Sequence, residues 1–259
     1  MGRFRMLARL GAFTVWTLLL LPVQLVLIYL PRRTDLTRRA KIRIPLLYWS
    51  GVARILGVNL DVTGVVEPNT TRPILFIANH SSWLDIVCLG AVLPGCFVAK
   101  GEIARWPGVN LIAKAGRTIF VSRRHRSANR ERTEMQTRLE AGDNLILFPE
   151  GTTSDGARVM PFHATFLALA ADASNPIVQP VTIVYDQMDS LPICRRNRPR
   201  VAWYGDMDIA SHYAQLGRHT WRARIILHTP VPATTNRKTL AADLQELIAD
   251  QAAIVRQGR

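Results

Sequence analysis

The chain has 259 residues, 48% of them apolar, enough for one sizeable core with an appendage. Its 33 Lys and Arg against 19 Asp and Glu give a formal net charge of +14. Such an excess points to a polyanionic partner, either nucleic acid or an anionic membrane face. The three cysteines, Cys88, Cys96 and Cys194, form no CxxC pair, which argues against a zinc site or a disulfide framework and leaves buried thiols in a reducing compartment.

From Leu10 to Leu30 runs a stretch of 21 residues without a charge, long enough to cross a bilayer. It is too long for the apolar core of a signal peptide, and no small-residue cleavage site follows. Arg3, Arg5 and Arg9 precede it; Arg32, Arg33, Arg38, Arg39, Lys41 and Arg43 follow. With both flanks basic, the positive-inside rule sets no orientation, and a segment that enters one leaflet and returns competes with a full span. A second apolar helix, about Ile44 to Leu56, is the candidate return arm. Met1-Gly2 lacks the Ser or Thr at position six that myristoylation needs. Residues 1–57 thus read as a membrane-anchoring helical segment.

After Gly57 short strands alternate with helices. Strands are expected at Leu60–Val66, Ile74–Asn79, Cys96–Lys100, Thr118–Ser122, Asn144–Pro149, Ile177–Tyr185, Arg200–Tyr204 and Arg222–Thr229. Helices are expected at Ser82–Val92, Val109–Ala115, Ser127–Glu140, Phe162–Ala173 and Lys238–Val255. This alternation predicts an α/β domain over residues 58–259, a mixed central sheet flanked by helices.

Four clusters fall where strands end, the edge at which open α/β sheets place their chemistry. The first is Asn79-His80-Ser81-Ser82-Trp83-Leu84-Asp85, between an apolar strand and an apolar helix. On a regular helix a five-residue offset turns through roughly 500°, which would aim His80 and Asp85 about 140° apart. They meet only if His80 precedes the first turn, and serines are preferred caps there. Asp85 would then hold one imidazole nitrogen and leave the other free as a base. The second cluster is Gly116 to Arg123, a glycine opening a strand and an arginine closing it, with Phe120 between; a solvated arginine is an equally good account of Arg123 taken alone. In the third, Phe148-Pro149-Glu150-Gly151-Thr152, Glu150 sits where it would position a substrate group or Arg123, or merely cap a loop. The fourth is Pro180 inside an apolar strand. A proline there usually marks an edge or bulge and suggests only a wall.

Taken in order, His-x4-Asp, Gly-x3-Phe-x2-Arg, Phe-Pro-Glu-Gly-Thr and the strand proline resemble the glycerolipid acyltransferase family, whose best-known members acylate 1-acyl-glycerol-3-phosphate. The matched region runs from about Gly57 to Tyr185. The resemblance implies transfer of an acyl chain from acyl-CoA or acyl carrier protein to the free hydroxyl of a lysolipid, 1-acyl-glycerol-3-phosphate first among acceptors. It implies His80 as general base and Asp85 as its partner, with no metal and no cofactor. Gly116, Phe120, Arg123, Phe148, Pro149, Glu150, Gly151, Thr152 and Pro180 would bind substrate, Arg123 with Glu150 and Gly151 holding the acceptor's head. It places the enzyme on an anionic membrane surface, at the cytoplasmic face of a bacterial inner membrane. Ser122 stands where the family often has an acidic residue. The Ser154-Asp155-Gly156-x-Arg158-Val159-x-Pro161-Phe162 run is similar to bacterial lyso-ornithine lipid acyltransferases, a branch of the same family, which makes lyso-ornithine lipid the alternative acceptor.

Other classes fit less well. No Gly-x-Ser-x-Gly elbow supports a serine hydrolase. Aromatics make up only 7%, with no nucleic-acid module, so the arginines are better matched to anionic lipid than to nucleic acid. A lipid thioesterase or a non-catalytic membrane protein of this fold would share the same motifs.

Overall fold

The computed structural model describes residues 2–30, 34–67, 71–121, 128–171, 175–232 and 236–258. Two helices packed antiparallel open the chain, α1 (Gly2–Tyr29) and α2 (Asp35–Leu56). Thr34 and Thr37 form a reciprocal capping box at the start of α2, and Gly57, at φ 75°, ends it in the left-handed conformation glycine favours. β1 (Val58–Thr63), β2 (Ile74–Ala78), α3 (Leu84–Gly90), β3 (Cys96–Lys100), α4 (Val109–Ala115) and β4 (Ile119–Val121) follow. Then come α5 (Ala128–Glu140), β5 (Leu145–Leu147), β6 (Ile177–Met188), β7 (Leu191–Pro192), α6 (Ile209–Leu216), β8 (Trp221–Leu227) and α7 (Arg237–Arg256).

The strands form a mixed sheet in the order β1-β8-β6-β2-β5-β3-β4, with the short β7 paired to β6. β2, β3, β4, β5 and β6 are all mutually parallel, while β8 runs antiparallel to β6. The unbroken apolar run of β2 follows from cover on both faces. Ile74, Phe76 and Ala78 join a core with Tyr48, Val52 and Leu56 of α2 and Leu84, Val87 and Cys88 of α3. Leu75 and Ile77 face a second core with Met135 and Leu139 of α5 and Leu240, Leu244, Ile248, Ala252 and Val255 of α7. The four-residue spacing on α7 is the apolar stripe expected of a helix laid on a sheet.

Because the five strands are parallel, their C-terminal ends share one edge. His80 follows β2 and Glu150 follows β5 there. Arg123, Arg124 and their neighbours through Ser127 lie outside the described residues, so the expectation for Arg123 rests on sequence alone.

Several expectations need correction. Arg200–Tyr204 is no strand: Arg198–Arg200 is a 3₁₀ turn, and Val201 and Ala202 are buried behind it while the Trp203 N–H donates to Ser81 O at 2.8 Å. Phe162–Ala173 is reduced, among its described residues, to a 3₁₀ segment, Phe166–Ala171. Helix α6 has too short an apolar pattern to stand out, yet Asp208 caps it by accepting from Ala210 and Ser211 N–H. Pro180 marks neither an edge nor a bulge. It lies between β2 and β8, opposite Ile77, and its carbonyl accepts from His228 N–H at 3.0 Å. The N–H that proline lacks is replaced by Gln179, whose Nε2 donates to His228 O at 3.1 Å.

Helix α1 is 28 residues long and apolar enough to cross a membrane by length and composition. Val15, Leu18, Leu19 and Val26 are exposed on it. Its other side is docked. Trp16 Nε1 donates to Tyr48 O at 3.0 Å, and Arg9 donates to the carbonyls of Gly217 and His219. Trp16 also occupies the space a side chain at Gly51 would need. The C-terminal half of α2 thus belongs to the core of the α/β body, while α1 presents an apolar outer face.

Candidate active site

His80 is the second residue beyond β2, and α3 begins at Leu84, so the histidine stands outside the helix as the geometry requires. His80 Nδ1 lies 2.8 Å from Asp85 Oδ2. The same oxygen accepts from Ser81 N–H at 2.7 Å and Ser82 N–H at 2.9 Å, so Asp85 both ties down the turn leading into α3 and holds the imidazole. Ser82 adds a tie of its own, its Oγ accepting from Leu84 N–H at 3.2 Å. The other carboxylate oxygen accepts from the Tyr185 hydroxyl at 2.6 Å. Asp85 and Tyr185 are both buried, and His80 keeps a small exposed edge. Among the described residues nothing hydrogen-bonds His80 Nε2. With Asp85 on Nδ1, the tautomer that places the proton there leaves Nε2 as the acceptor.

The ring plane is fixed by stacking. Phe148 lies on His80 with centroids 4.0 Å apart and planes at 15°, and Phe97 continues the stack at 6.1 Å. Phe148 is thereby placed as a wall of the dyad. Burial pushes the Tyr185 hydroxyl well above its ordinary value, with the Asp85 charge acting in the same direction, so it stays a donor at any working pH.

Glu150 is placed differently from the head-group role considered for it. It is buried, its Oε1 accepting from the His80 N–H at 2.6 Å and its Oε2 from the Met160 N–H at 2.8 Å. It therefore ties the loop after β5 to the backbone that carries the base. Ser154 adds to the tie, donating from N and Oγ to His80 O. Gly151, at φ 64°, makes the turn, with its N–H on Phe148 O at 3.0 Å. A side chain there would also meet the His163 ring at 3.3 Å. Pro149 is buried with its carbonyl accepting from His163 N–H, and Thr152 is exposed. Gly116 caps α4 at φ −75°, and the left-handed position falls on Arg117 instead. Phe120 is half-buried in β4, opposite Ala99.

Burial raises the Glu150 carboxyl to about 7, against the two backbone donors that favour its charge. The unfolded chain titrates near the ordinary 4.5. Between those values the folded state binds the extra proton, so stability falls as pH rises through the window and is flat above it. The full span is worth about 3 kcal/mol. Urea unfolding at pH 5 and pH 8 is expected to show this loss as the difference between the pH dependence of the wild type and that of Glu150→Gln, since the buried His212 and His228 act in the opposite direction in both. An equal slope in both proteins would remove Glu150 as its source.

A family model described as Acyltransferase matches residues 59–184, from β1 into β6. Over 257 residues the chain is 34% identical to a lyso-ornithine lipid O-acyltransferase from Brucella abortus, covering 95% of this chain and 93% of that protein. The chain belongs to the acyltransferase family. A 1-acyl-sn-glycerol-3-phosphate acyltransferase from Neisseria meningitidis is 30% identical over 212 residues, 79% of this chain and 80% of that one. The crystal structure of the 1-acyl-sn-glycerophosphate acyltransferase PlsC from Thermotoga maritima superposes with a TM-score of 0.71 at 21% identity, covering 99% of this chain and 98% of that one. That likeness extends the shared acyltransferase fold over α1 and α2 as well as the sheet.

Two of the acyltransferase's motif blocks meet at His80: the dyad itself, and the Phe148–Gly151 turn that stacks on its ring and holds its backbone. Tyr185, Phe97 and Met160 carry no local signal that would mark them as part of the site. Tyr185 lies 100 residues from Asp85, and only the pairing of β2 with β6 brings the two together.

Proposed function

We propose that this acyltransferase moves a fatty acyl chain from an acyl thioester to the hydroxyl of a lysolipid, with His80 as general base. The observation that carries the reading is a His80 Nε2 that no described residue bonds, in an imidazole whose other nitrogen, ring plane and backbone N–H are all held. Nε2 takes the proton of the acceptor hydroxyl as its oxygen attacks the thioester carbon. The tetrahedral adduct then collapses, the C–S bond breaks, and the departing sulfur receives the proton from the imidazolium. Asp85 supports the transient positive charge. This general-base step supplies roughly 10²- to 10⁴-fold in rate. Acyl-CoA and acyl carrier protein are the donors of matching chemistry, and Arg123 remains, from sequence, a proposed substrate-binding residue.

For the acceptor we favour lyso-ornithine lipid, because the relative so named aligns over nearly the whole chain. The relatives named for 1-acyl-glycerol-3-phosphate support that lysolipid as the second reading. Purified enzyme offered both lysolipids side by side decides between them. Acylation of neither, with free fatty acid released instead, would favour a thioesterase.

The proposed place of action is a membrane surface on its cytoplasmic side, with residues 1–57 as the anchoring part. Removing residues 1–33 is expected to abolish vesicle binding at high salt and leave weak, salt-sensitive binding through the basic surface. Flotation with anionic vesicles at low and high salt measures it. Undiminished binding at high salt would place the anchor elsewhere.

A further inference from the structure

Among the described residues, most of the half-buried arginine charge is spent on named partners. Arg117 and Arg138 share Asp143, and Arg222 and Arg224 share Asp186. Three arginines differ. Arg158 comes from the loop after β5, Arg198 from the 3₁₀ turn before Val201, and Arg256 from the last turn of α7. All three line one crevice with Asn79, Ser81 and Ser154. Among the described residues none of their guanidinium groups has a hydrogen bond or an ion pair; Arg158 is exposed, but Arg198 and Arg256 are half-buried. Burial and the charge of Arg198 both lower the Arg256 pKa, and Asp155 and Glu150 offset this only from beyond ion-pair distance.

The bland account is that Arg256 complements the helix dipole and the others are solvated. It explains one arginine. It does not explain why two further cations converge on the same crevice from separate segments, against mutual repulsion. We propose that Arg158, Arg198 and Arg256 form a binding site for the anionic head group, carboxylate or phosphate, of the lysolipid acceptor.

Arginine's planar fork matches the paired oxygens of either anion. The crevice adjoins the backbone that carries the dyad. Ser81 contributes its N–H to Asp85, and Ser154 donates to His80 O. Gly156 lets the walls close: a Cβ there would stand 3.3 Å from Arg198 Cδ and 3.7 Å from Ser81 Cβ. In a lysolipid the anionic group lies a few bonds from the head of the molecule that carries the reacting hydroxyl. In acyl-CoA the phosphates lie at the far end of the pantetheine arm from the thioester. Proximity to the base therefore favours the acceptor as the source. The described part of the second block, Gly116 to Val121, lies on and before the outer strand β4, while the crevice is lined by Asn79 just after β2 and by Ile183 to Tyr185 within β6.

This inference rests on the lysolipid reading above, so its test has one arm that needs no turnover. Inorganic phosphate is expected to raise the thermal midpoint of the wild-type full chain and to raise that of Arg198→Gln/Arg256→Gln much less. Equal shifts overturn the site whatever the reaction proves to be. In the kinetic arm, each single variant is expected to raise acceptor KM at least tenfold while donor KM moves less than threefold. Arg198→Lys, which keeps the charge on an accessible turn, is expected to lose less than Arg198→Gln and covers the case in which an Arg256 variant misfolds. A neutral monoacylglycerol acceptor is expected to be insensitive to the substitutions. A rise confined to donor KM would reassign the anion to the donor and overturn the proposal, as would equal rises for charged and neutral acceptors. Absence of lysolipid acylation by the wild type would instead count against the proposed function.

Discussion

His80→Ala is expected to lower kcat by roughly 10²- to 10⁴-fold, the usual contribution of a positioned general base. The fold should persist, because the local structure does not hang on the imidazole. Asp85 Oδ2 keeps the Ser81 and Ser82 N–H groups, Tyr185 keeps Oδ1, and Glu150 bonds the backbone N–H of residue 80, which alanine retains. The loss is a stacking partner for Phe148 and one hydrogen bond at the edge of the cleft. Far-UV circular dichroism and the thermal midpoint should therefore change little while turnover collapses. Acceptor and donor KM should move far less than kcat, since Nε2 acts on the hydroxyl proton rather than holding either substrate. Near wild-type turnover in the purified variant would remove His80 from the mechanism.

The parts of this architecture that could be read from the chain are those whose signal is local. Ile74–Ala78 reads as a strand covered on both faces because five apolar residues in a row have no other stable use, and β2 is so placed. The requirement that His80 precede the first helical turn follows from helix geometry alone, and α3 does begin at Leu84. What escaped depends on pairings distant in sequence. Arg200–Tyr204 has the composition of a strand, but Val201 and Ala202 are apolar because they pack under a turn whose next N–H reaches Ser81. Pro180 signals an edge only if no side chain can stand in for its missing N–H. Gln179 does so, and a buried glutamine one residue before a strand proline is the signal that was available. Glu150 looks like a substrate ligand because it follows a strand at the catalytic edge. Its two carboxylate oxygens are instead occupied by backbone N–H groups from either side of the site. Arg198 and Arg256 lie outside every motif, and only the path of α7 along β6 carries the second of them to the cleft.

Asp85→Asn is the second substitution with a large expected effect, and it separates the two tasks of that carboxylate. Four donors converge on it: His80 Nδ1 and two backbone N–H groups on Oδ2, and the Tyr185 hydroxyl on Oδ1. Asparagine can keep three of these by turning its oxygen toward the Oδ2 position. Its amide N–H then meets the Tyr185 oxygen, which can accept as well as donate. The turn leading into α3 should thus remain tied down, and stability should fall only by about 1–3 kcal/mol. What the amide cannot do is carry the negative charge that supports an imidazolium once Nε2 has taken the acceptor's proton. The expected loss in kcat is on the order of 10²- to 10⁴-fold. Tyr185→Phe removes one donor and no charge, so it should cost much less, about tenfold. The decisive measurement is the double variant. If Asp85 acts through His80, His80→Ala/Asp85→Asn should be no slower than His80→Ala alone, because groups that work as a unit are lost together. A double variant slower by the product of the two single effects would make Asp85 a structural tie whose contribution to turnover does not pass through the histidine.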